Sequence, residues 1–162
     1  MSTIFTETKP LARVNLIPVD QRKTRTATLP CLVLCNSAER SRMFLEAAAE
    51  SGWTPVVCRE ASQASAQTAR FRFPLVIVDI EGDGGGTADD FQRLAEQLSR
   101  EHGRLLMICG DEENPLQEIW ARQLGAWLYL PGVDETSDMT LLCGEARTAA
   151  DKLELCITYT EK

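Results

Sequence analysis

Between Pro30 and Leu153, five short apolar runs alternate with five segments of helical spacing, and this alternation strongly limits the folds open to the chain. Strands separated by single helices pair in parallel through right-handed crossovers. The predicted strands are Cys31–Cys35, Thr54–Cys58, Leu75–Asp79, Arg104–Cys109 and Ala126–Leu130. The pattern therefore predicts an α/β domain with a five-stranded parallel sheet in the order 2-1-3-4-5 and helices on both faces.

Polar and glycine residues mark the ends of the predicted helices. Ser37 and Asn114 are suitable N-caps, and Pro115 follows Asn114 at the favoured first helical position. Gly52 and Gly125 stand where two helices should end. The helix that begins after Asn114 is predicted to turn its apolar residues inward; they are Leu116, Ile119, Trp120 and Leu124.

Charge divides the chain into a basic tail and an acidic domain. Residues 1–29 hold five basic and two acidic residues, a net of +3, whereas the whole chain carries −7, so the remainder carries −10. We expect a flexible tail over 1–29, a domain over 30–155 and a short C-terminal tail over 156–162. An acidic domain repels nucleic acid, so no nucleic-acid partner is expected.

The six cysteines form no Cys-x-x-Cys pair, and the chain has one histidine, so no zinc site is predicted. Most cysteines lie in apolar patterns, where a free thiol behaves as a small hydrophobic group. This usage favours a reducing, cytoplasmic setting. The apolar runs are too short to cross a bilayer, so membrane insertion is not expected.

Asp79 closes the run Pro74-Leu-Val-Ile-Val-Asp79, which has the pattern of a buried strand that ends in a carboxylate. Ligands of open parallel sheets bind at the carboxyl ends of the strands. Cys35-Asn36 and Cys109-Gly110 end two further strands and should lie at the same edge as Asp79. The sequence thus places a carboxylate, an amide and two thiols at one candidate site.

With this strand spacing and Asp79 in place, the chain resembles the receiver domains of response regulators, the CheY-like family, from about Pro30 to Leu153. The Gly125-Ala126-x-x-Tyr129-Leu130 segment and the Gly52-Trp53 turn are also similar to the family. The resemblance implies a flavodoxin-like fold and a place in two-component signalling. In that family the aspartate at the position of Asp79 accepts a phosphoryl group, and Tyr129 falls on the aromatic switch position.

The chain departs from the family where the chemistry is done. The resemblance implies two carboxylates after the first strand, where this chain has Cys35-Asn36. It implies a Ser or Thr at the end of the fourth strand, where this chain has Cys109. It also implies a lysine after the fifth strand, where this chain has Pro131-Gly132-Val133. Phosphoryl transfer depends on positioning and charge neutralisation, and Mg²⁺ requires hard oxygen ligands. The departures therefore predict a non-catalytic pseudo-receiver without a cofactor.

Two interpretations of the strand-end pocket follow. In the first, Asp79 is a structural residue, and Asn36, Glu81, Cys109 and Tyr129 form a degenerate pocket of a protein–protein interaction module. In the alternative, the domain is a phosphorylatable receiver in a phosphorelay, accepting phosphate on Asp79 from a histidine kinase with Mg²⁺. Glu81 and Asp83 would then rebuild part of the acidic site.

Cys35 and Cys109 are not predicted to form a redox pair. They end the first and fourth strands, which the third strand separates. Two strand spacings are about 9.6 Å, which is beyond disulfide reach. We expect two separate buried thiols.

The tail contains one apolar segment, Val14-Asn-Leu-Ile-Pro-Val-Asp-Gln-Arg22. It resembles the Asn-Leu-Leu-Pro-type peptide of a type IV pilus inner-membrane assembly protein, which docks into an actin-like cytoplasmic partner. The matching residues would be Asn15, Leu16, Ile17, Pro18 and Arg22. No transmembrane helix follows the segment, as one does in that family. A docking peptide for a protein partner and a chance match in a solvated tail both remain open.

A homodimer is a further candidate assembly. Trp127 and Tyr129 are two residues apart in a predicted strand, so both are expected on one face of the sheet. Receivers commonly associate through this region, so that face is a candidate dimer contact.

Overall fold

A computed structural model describes residues 27–81 and 86–160, with side chains for all of these except 86 and 154–160. The strands are β1 (Leu29–Leu34), β2 (Trp53–Cys58), β3 (Leu75–Asp79), β4 (Leu105–Gly110) and β5 (Leu128–Pro131). The helices are α1 (Ala38–Glu50), α2 (Ala61–Arg70), α3 (Gly86–Leu98), α4 (Pro115–Leu124) and α5 (Thr136–Thr160). The tail and its docking peptide lie outside the described residues, as does Asp83.

All five strands are parallel and follow the order β2-β1-β3-β4-β5, so the predicted α/β, flavodoxin-like architecture is confirmed. β3 is central, and its five residues are all buried. Two apolar clusters cover the opposite faces of the sheet, one including Phe44 and Met139 and the other including Phe73 and Phe91. Asp79 is paired in register with Cys109 of the neighbouring strand.

Local capping follows the predicted pattern. The Ser37 side chain accepts a hydrogen bond from the Arg40 backbone N–H at 3.2 Å, and Asn114 accepts one from Leu116 at 3.2 Å. Gly125 ends α4 with φ +90°, a left-handed conformation that glycine adopts without strain. These contacts fix where α1 and α4 begin and where α4 ends.

The bounds of β1, β2, β4 and β5 differ from the predicted ones by one or two residues. β5 begins at Leu128 rather than Ala126, because Trp127 lies in a bend before the strand. α5 continues to Thr160, beyond the boundary predicted at residue 155.

The predicted inner face of α4 is wrong in part. Leu116 is 72% exposed and Ile119 51% exposed, whereas Ala121 is fully buried. The inward side of the first turn is taken by Gln117, whose Oε1 accepts a hydrogen bond from the Asp111 backbone N–H at 2.8 Å. Apolar spacing alone did not reveal this rotation, because a polar side chain satisfies a backbone group there.

The prediction that Trp127 and Tyr129 share a face is also wrong. Trp127 packs against the cluster that contains Phe44, and Tyr129 packs against the cluster on the opposite face. Strand alternation does not apply to Trp127, since it precedes β5. The homodimer contact proposed from the shared face loses its basis.

The five described cysteines are free and buried, so the prediction of separate thiols at Cys35 and Cys109 is confirmed. Among the described residues, no helix is both long enough and apolar enough to cross a bilayer.

Candidate functional site

Asp79 lies at the carboxyl end of the central strand, and its side chain is only 2% exposed. A buried carboxylate without partners is costly, so the groups around it decide its role. β1 and β4 flank β3 and bring their own strand ends to this point. The neighbours of Asp79 therefore come from several elements that are distant in sequence.

The main partner of Asp79 is Arg40, in the first turn of α1. Arg40 Nε donates to Asp79 Oδ2 at 2.7 Å, and Nη2 donates to Oδ1 at 3.3 Å. This two-point contact is the geometry that a guanidinium forms best with a carboxylate. Arg40 Nη1 donates to the Val133 carbonyl at 2.8 Å, and the guanidinium carbon lies 5.5 Å from the centroid of the Phe44 ring. One side chain thus joins α1 to the end of β3 and to the segment after β5.

Glu81 adds a second carboxylate to the same guanidinium. Its Oε1 lies 2.9 Å from Arg40 Nη2, an ionic contact without hydrogen-bond geometry, while its backbone N–H donates to Asp79 Oδ1 at 3.2 Å. Burial raises the pKa of Glu81, and the Asp79 charge raises it further, although Arg40 acts in the opposite direction. For Arg40, the two carboxylates outweigh burial and raise the guanidinium pKa. The cluster is an ion triad held by one arginine.

Cys35 completes the surroundings of Asp79. Its Sγ lies 3.2 Å from Asp79 Oδ2 and 3.5 Å from the Ser37 carbonyl oxygen. Burial raises the pKa of the Cys35 thiol to about 11, and the Asp79 charge adds to this effect. The Cys35 thiol is therefore neutral at pH 7, and it donates a hydrogen bond to the Asp79 carboxylate. With this contact, each Asp79 oxygen has two donors.

A cavity of about 300 Å³ opens in front of this triad. Its lining residues are Asn36, Ser37, Arg40, Asp79, Glu81, Thr87, Ala88 and Phe91. Of the residues predicted for the degenerate pocket, the structure brings Asn36 and Glu81 together with Asp79. Cys109 and Tyr129 do not line this cavity.

Cys109 lies in the core although it is adjacent to Asp79. It is fully buried, and burial raises its thiol pKa well above the ordinary value. The Ile80 backbone N–H donates to the Cys109 carbonyl at 2.9 Å, which ties the two strand ends together. The Cys109 side chain packs in the core at the position where the receiver family has the hydroxyl of a Ser or Thr.

Tyr129 is turned toward Gly110. A Cβ at Gly110 would overlap the Tyr129 hydroxyl and would lie 2.7 Å from Gln117 Oε1. The hydroxyl is buried and has no hydrogen-bond partner among the described residues. Burial raises the pKa of Tyr129, so the phenol stays neutral. The absence of a side chain at Gly110 is what makes room for this inward position.

The donor set at the triad does not fit a divalent cation. Mg²⁺ takes hard oxygen ligands, but here a thiol stands at the end of β1, and the Arg40 guanidinium already lies against both Asp79 oxygens. In the described part of the chain, no three His, Cys, Asp or Glu residues are arranged to hold a metal ion.

Arg40 is the site residue that sequence reasoning missed. A weak signal was present, because a cation in the first turn of a helix opposes the helix dipole. Such a residue indicates an acidic partner elsewhere in the fold. The predicted tail residues Asn15, Leu16, Ile17, Pro18 and Arg22 lie outside the described residues.

Comparison with solved structures identifies the architecture. A CheY-like response regulator receiver domain protein from Methanospirillum hungatei superposes with a TM-score of 0.64 at 14% identity, over 79% of this chain and 98% of that one. The chemotaxis response regulator CheY4 of Vibrio cholerae superposes with a TM-score of 0.61 at 15% identity, over 74% of this chain and 99% of that one. The structure of adenylate cyclase from Rhodopirellula baltica superposes with a TM-score of 0.67 at 12% identity, over 83% of this chain and 98% of that one.

No protein-family model matches the sequence, and no curated protein matches it. Similarity at 12–15% identity speaks for the fold and not for the activity. The strand order, the position of Asp79 and these superpositions agree with one another. The chain therefore has the fold of the CheY-like response-regulator receiver domains.

Proposed function

We propose that this protein is a non-catalytic pseudo-receiver, which acts in the cytoplasm as a protein–protein interaction module in bacterial signalling or assembly. The observation that carries the proposal is the Arg40 guanidinium, which pairs with both oxygens of Asp79. In this view a side chain of the chain itself supplies the positive charge at the strand end.

The geometry opposes phosphoryl transfer for two reasons. An attacking carboxylate needs a free oxygen, but Asp79 Oδ2 accepts from Arg40 and Cys35, and Oδ1 accepts from Arg40 and the Glu81 N–H. The transferred group also needs uncommitted positive charge, whereas the charge of Arg40 is shared between two carboxylates. Phosphorylation would have to break this arrangement first.

The role that we propose for this domain is binding. We propose that the tail contributes through Asn15, Leu16, Ile17, Pro18 and Arg22, since an apolar segment with a proline-restricted backbone loses little entropy on docking. The Arg40 triad then keeps the domain in one state, and partner choice does not depend on phosphate.

Affinity capture tests this function with the intact chain as bait and, as the matched control, a chain lacking residues 1–26, which leaves β1 whole. Each bait is used with and without Mg²⁺ and beryllofluoride, which mimics the aspartyl phosphate. We expect a partner that is retained by the intact chain, lost by the shortened chain and unaffected by beryllofluoride. A partner captured only with beryllofluoride would instead favour the phosphorylatable receiver.

A further inference from the structure

A basic cleft lies at the end of the sheet opposite Asp79, where α2 leads into β3 and α3 leads into β4. We define this basic cleft by Arg70, Phe71, Arg72 and Arg104. These side chains, with Glu101, surround a shallow cavity of about 260 Å³. The cleft belongs neither to the Asp79 site nor to the tail.

Arg104 forms the rigid floor of the basic cleft. Its side chain is 7% exposed, and Nε donates to the Phe73 carbonyl at 3.0 Å. Nη1 donates to the Leu98 carbonyl at 3.3 Å and lies 2.8 Å from Glu101 Oε1. A guanidinium held at three points has little rotamer freedom left to lose when a ligand binds.

The rim of the basic cleft is exposed and combines charge with apolar surface. Arg72 Nη2 donates to the His102 carbonyl at 3.2 Å, which ties one connection to the other. The Arg70 guanidinium carbon lies 5.2 Å from the centroid of the Phe71 ring. Phe71 is 50% exposed. Neither Arg70 nor Arg72 forms a salt bridge with a described residue, so both charges face solvent.

The basic cleft stands out against the charge of the chain. Residues 70–72 and 99–104 contain four arginines and one acidic residue, in a chain of net charge −7. At the opposite end of the sheet, residues 111–114 and 132–135 contain five acidic residues and no basic ones. The domain is therefore polarised along its strands, with positive charge at the amino end of β3 and β4.

We infer that the basic cleft is a docking site for an acidic segment of a partner protein. Carboxylates would pair with Arg70 and Arg72, and an adjoining apolar side chain would cover Phe71. The tail of this chain is an unsuitable occupant, because residues 1–29 carry net charge +3. A nucleic-acid strand would continue from the cleft onto a domain of net charge −10, which repels its phosphates.

The basic cleft shares no residue with the Asp79 site, so its occupation does not depend on the state of Asp79. The test is fluorescence anisotropy of a labelled oligoglutamate peptide that contains one leucine, titrated with the full-length protein at low salt. The double variant Arg70→Gln/Arg72→Gln is compared with Arg93→Gln/Arg122→Gln, which removes the same charge from exposed side chains on α3 and α4. Thermal melts check that both variants are folded.

We expect saturable binding that weakens about fivefold in the cleft variant, little change in the control variant, and a loss with rising salt. Phe71→Ala should also weaken binding. Absence of peptide binding, or an equal loss in both double variants, would overturn the inference. Tighter binding of a labelled oligonucleotide than of the peptide would overturn it in favour of nucleic acid.

Discussion

Nε of Arg40 lies 2.7 Å from Oδ2 of Asp79, so the carboxylate at the end of the central strand is neutralised by a residue of the adjacent helix. Arg40 also reaches Glu81 and the Val133 carbonyl, and in this way one side chain links α1, the end of β3 and the segment after β5. This internal ion triad lies at the end of the central strand of a receiver-like fold.

Arg40→Ala should destabilise the fold at pH 7 by about 3 kcal/mol, because two poorly solvated carboxylates lose their cation. Urea denaturation measures the change. Arg93→Ala is the matched control, since its pair with Asp90 is exposed and should be worth less than about 1 kcal/mol. Equal effects of the two substitutions would show that the triad has no special structural role.

Glu81 gives a prediction about pH. Its pKa is raised in the folded state, so the folded protein holds more protons than the unfolded chain between the ordinary and the raised values. The contribution of protonated Glu81 to the free energy of unfolding is complete below the pKa of Glu81 in the unfolded chain. It is lost as pH rises through the pKa of Glu81 in the folded protein. Stability of the wild type relative to Glu81→Gln should therefore fall from pH 4 toward pH 7.

The slope with pH should become steeper in an Arg40→Ala background, because Arg40 lowers the pKa of Glu81. Denaturation midpoints across this range, for Glu81→Gln alone and combined with Arg40→Ala, provide the comparison. A relative stability that rises with pH would contradict the assigned direction of the shift.

Much of this fold was predictable from sequence, because strand and helix periods are local properties. The five strands and the caps at Ser37 and Asn114 follow from such patterns. The order of the sheet follows from the alternation of strands with helices and from the order common in such folds. The inward side of α4 did not, since Gln117 satisfies a backbone N–H and leaves Leu116 exposed. Apolar spacing predicts which residues of a helix lie on one face, but it does not predict which polar side chains must turn inward to satisfy backbone groups.

The site was harder to predict because its key contact is not local. Asp79 could be singled out by its position at a strand end, and Asn36 and Glu81 do lie beside it. Arg40 is far from Asp79 in sequence, and no short motif joins them. Cys109 and Tyr129 fall on site positions of the receiver family in the resemblance. In this fold Cys109 is buried in one apolar cluster and Tyr129 packs against the other, so neither side chain lines the cavity.

Gly110→Ala should destabilise the protein by about 1–3 kcal/mol, because the new methyl group overlaps the Tyr129 hydroxyl and Gln117. NMR of the Tyr129 ring should show that it leaves its inward position. Gly144→Ala is the matched control: its Cβ meets nothing within 4 Å, and it should stabilise α5 by about 0.5–1 kcal/mol. An inward Tyr129 and unchanged stability in Gly110→Ala would contradict the proposed tight contact.

We propose that the Arg40–Asp79 pair prevents transfer of a phosphoryl group to Asp79. Intact-mass spectrometry after incubation with Mg²⁺ and acetyl phosphate tests it most directly, with a phosphorylatable receiver as positive control and Asp79→Asn as negative control. We predict no added phosphoryl group on the wild-type chain under conditions that modify the positive control. One phosphoryl group per wild-type chain, absent from Asp79→Asn, would contradict the account.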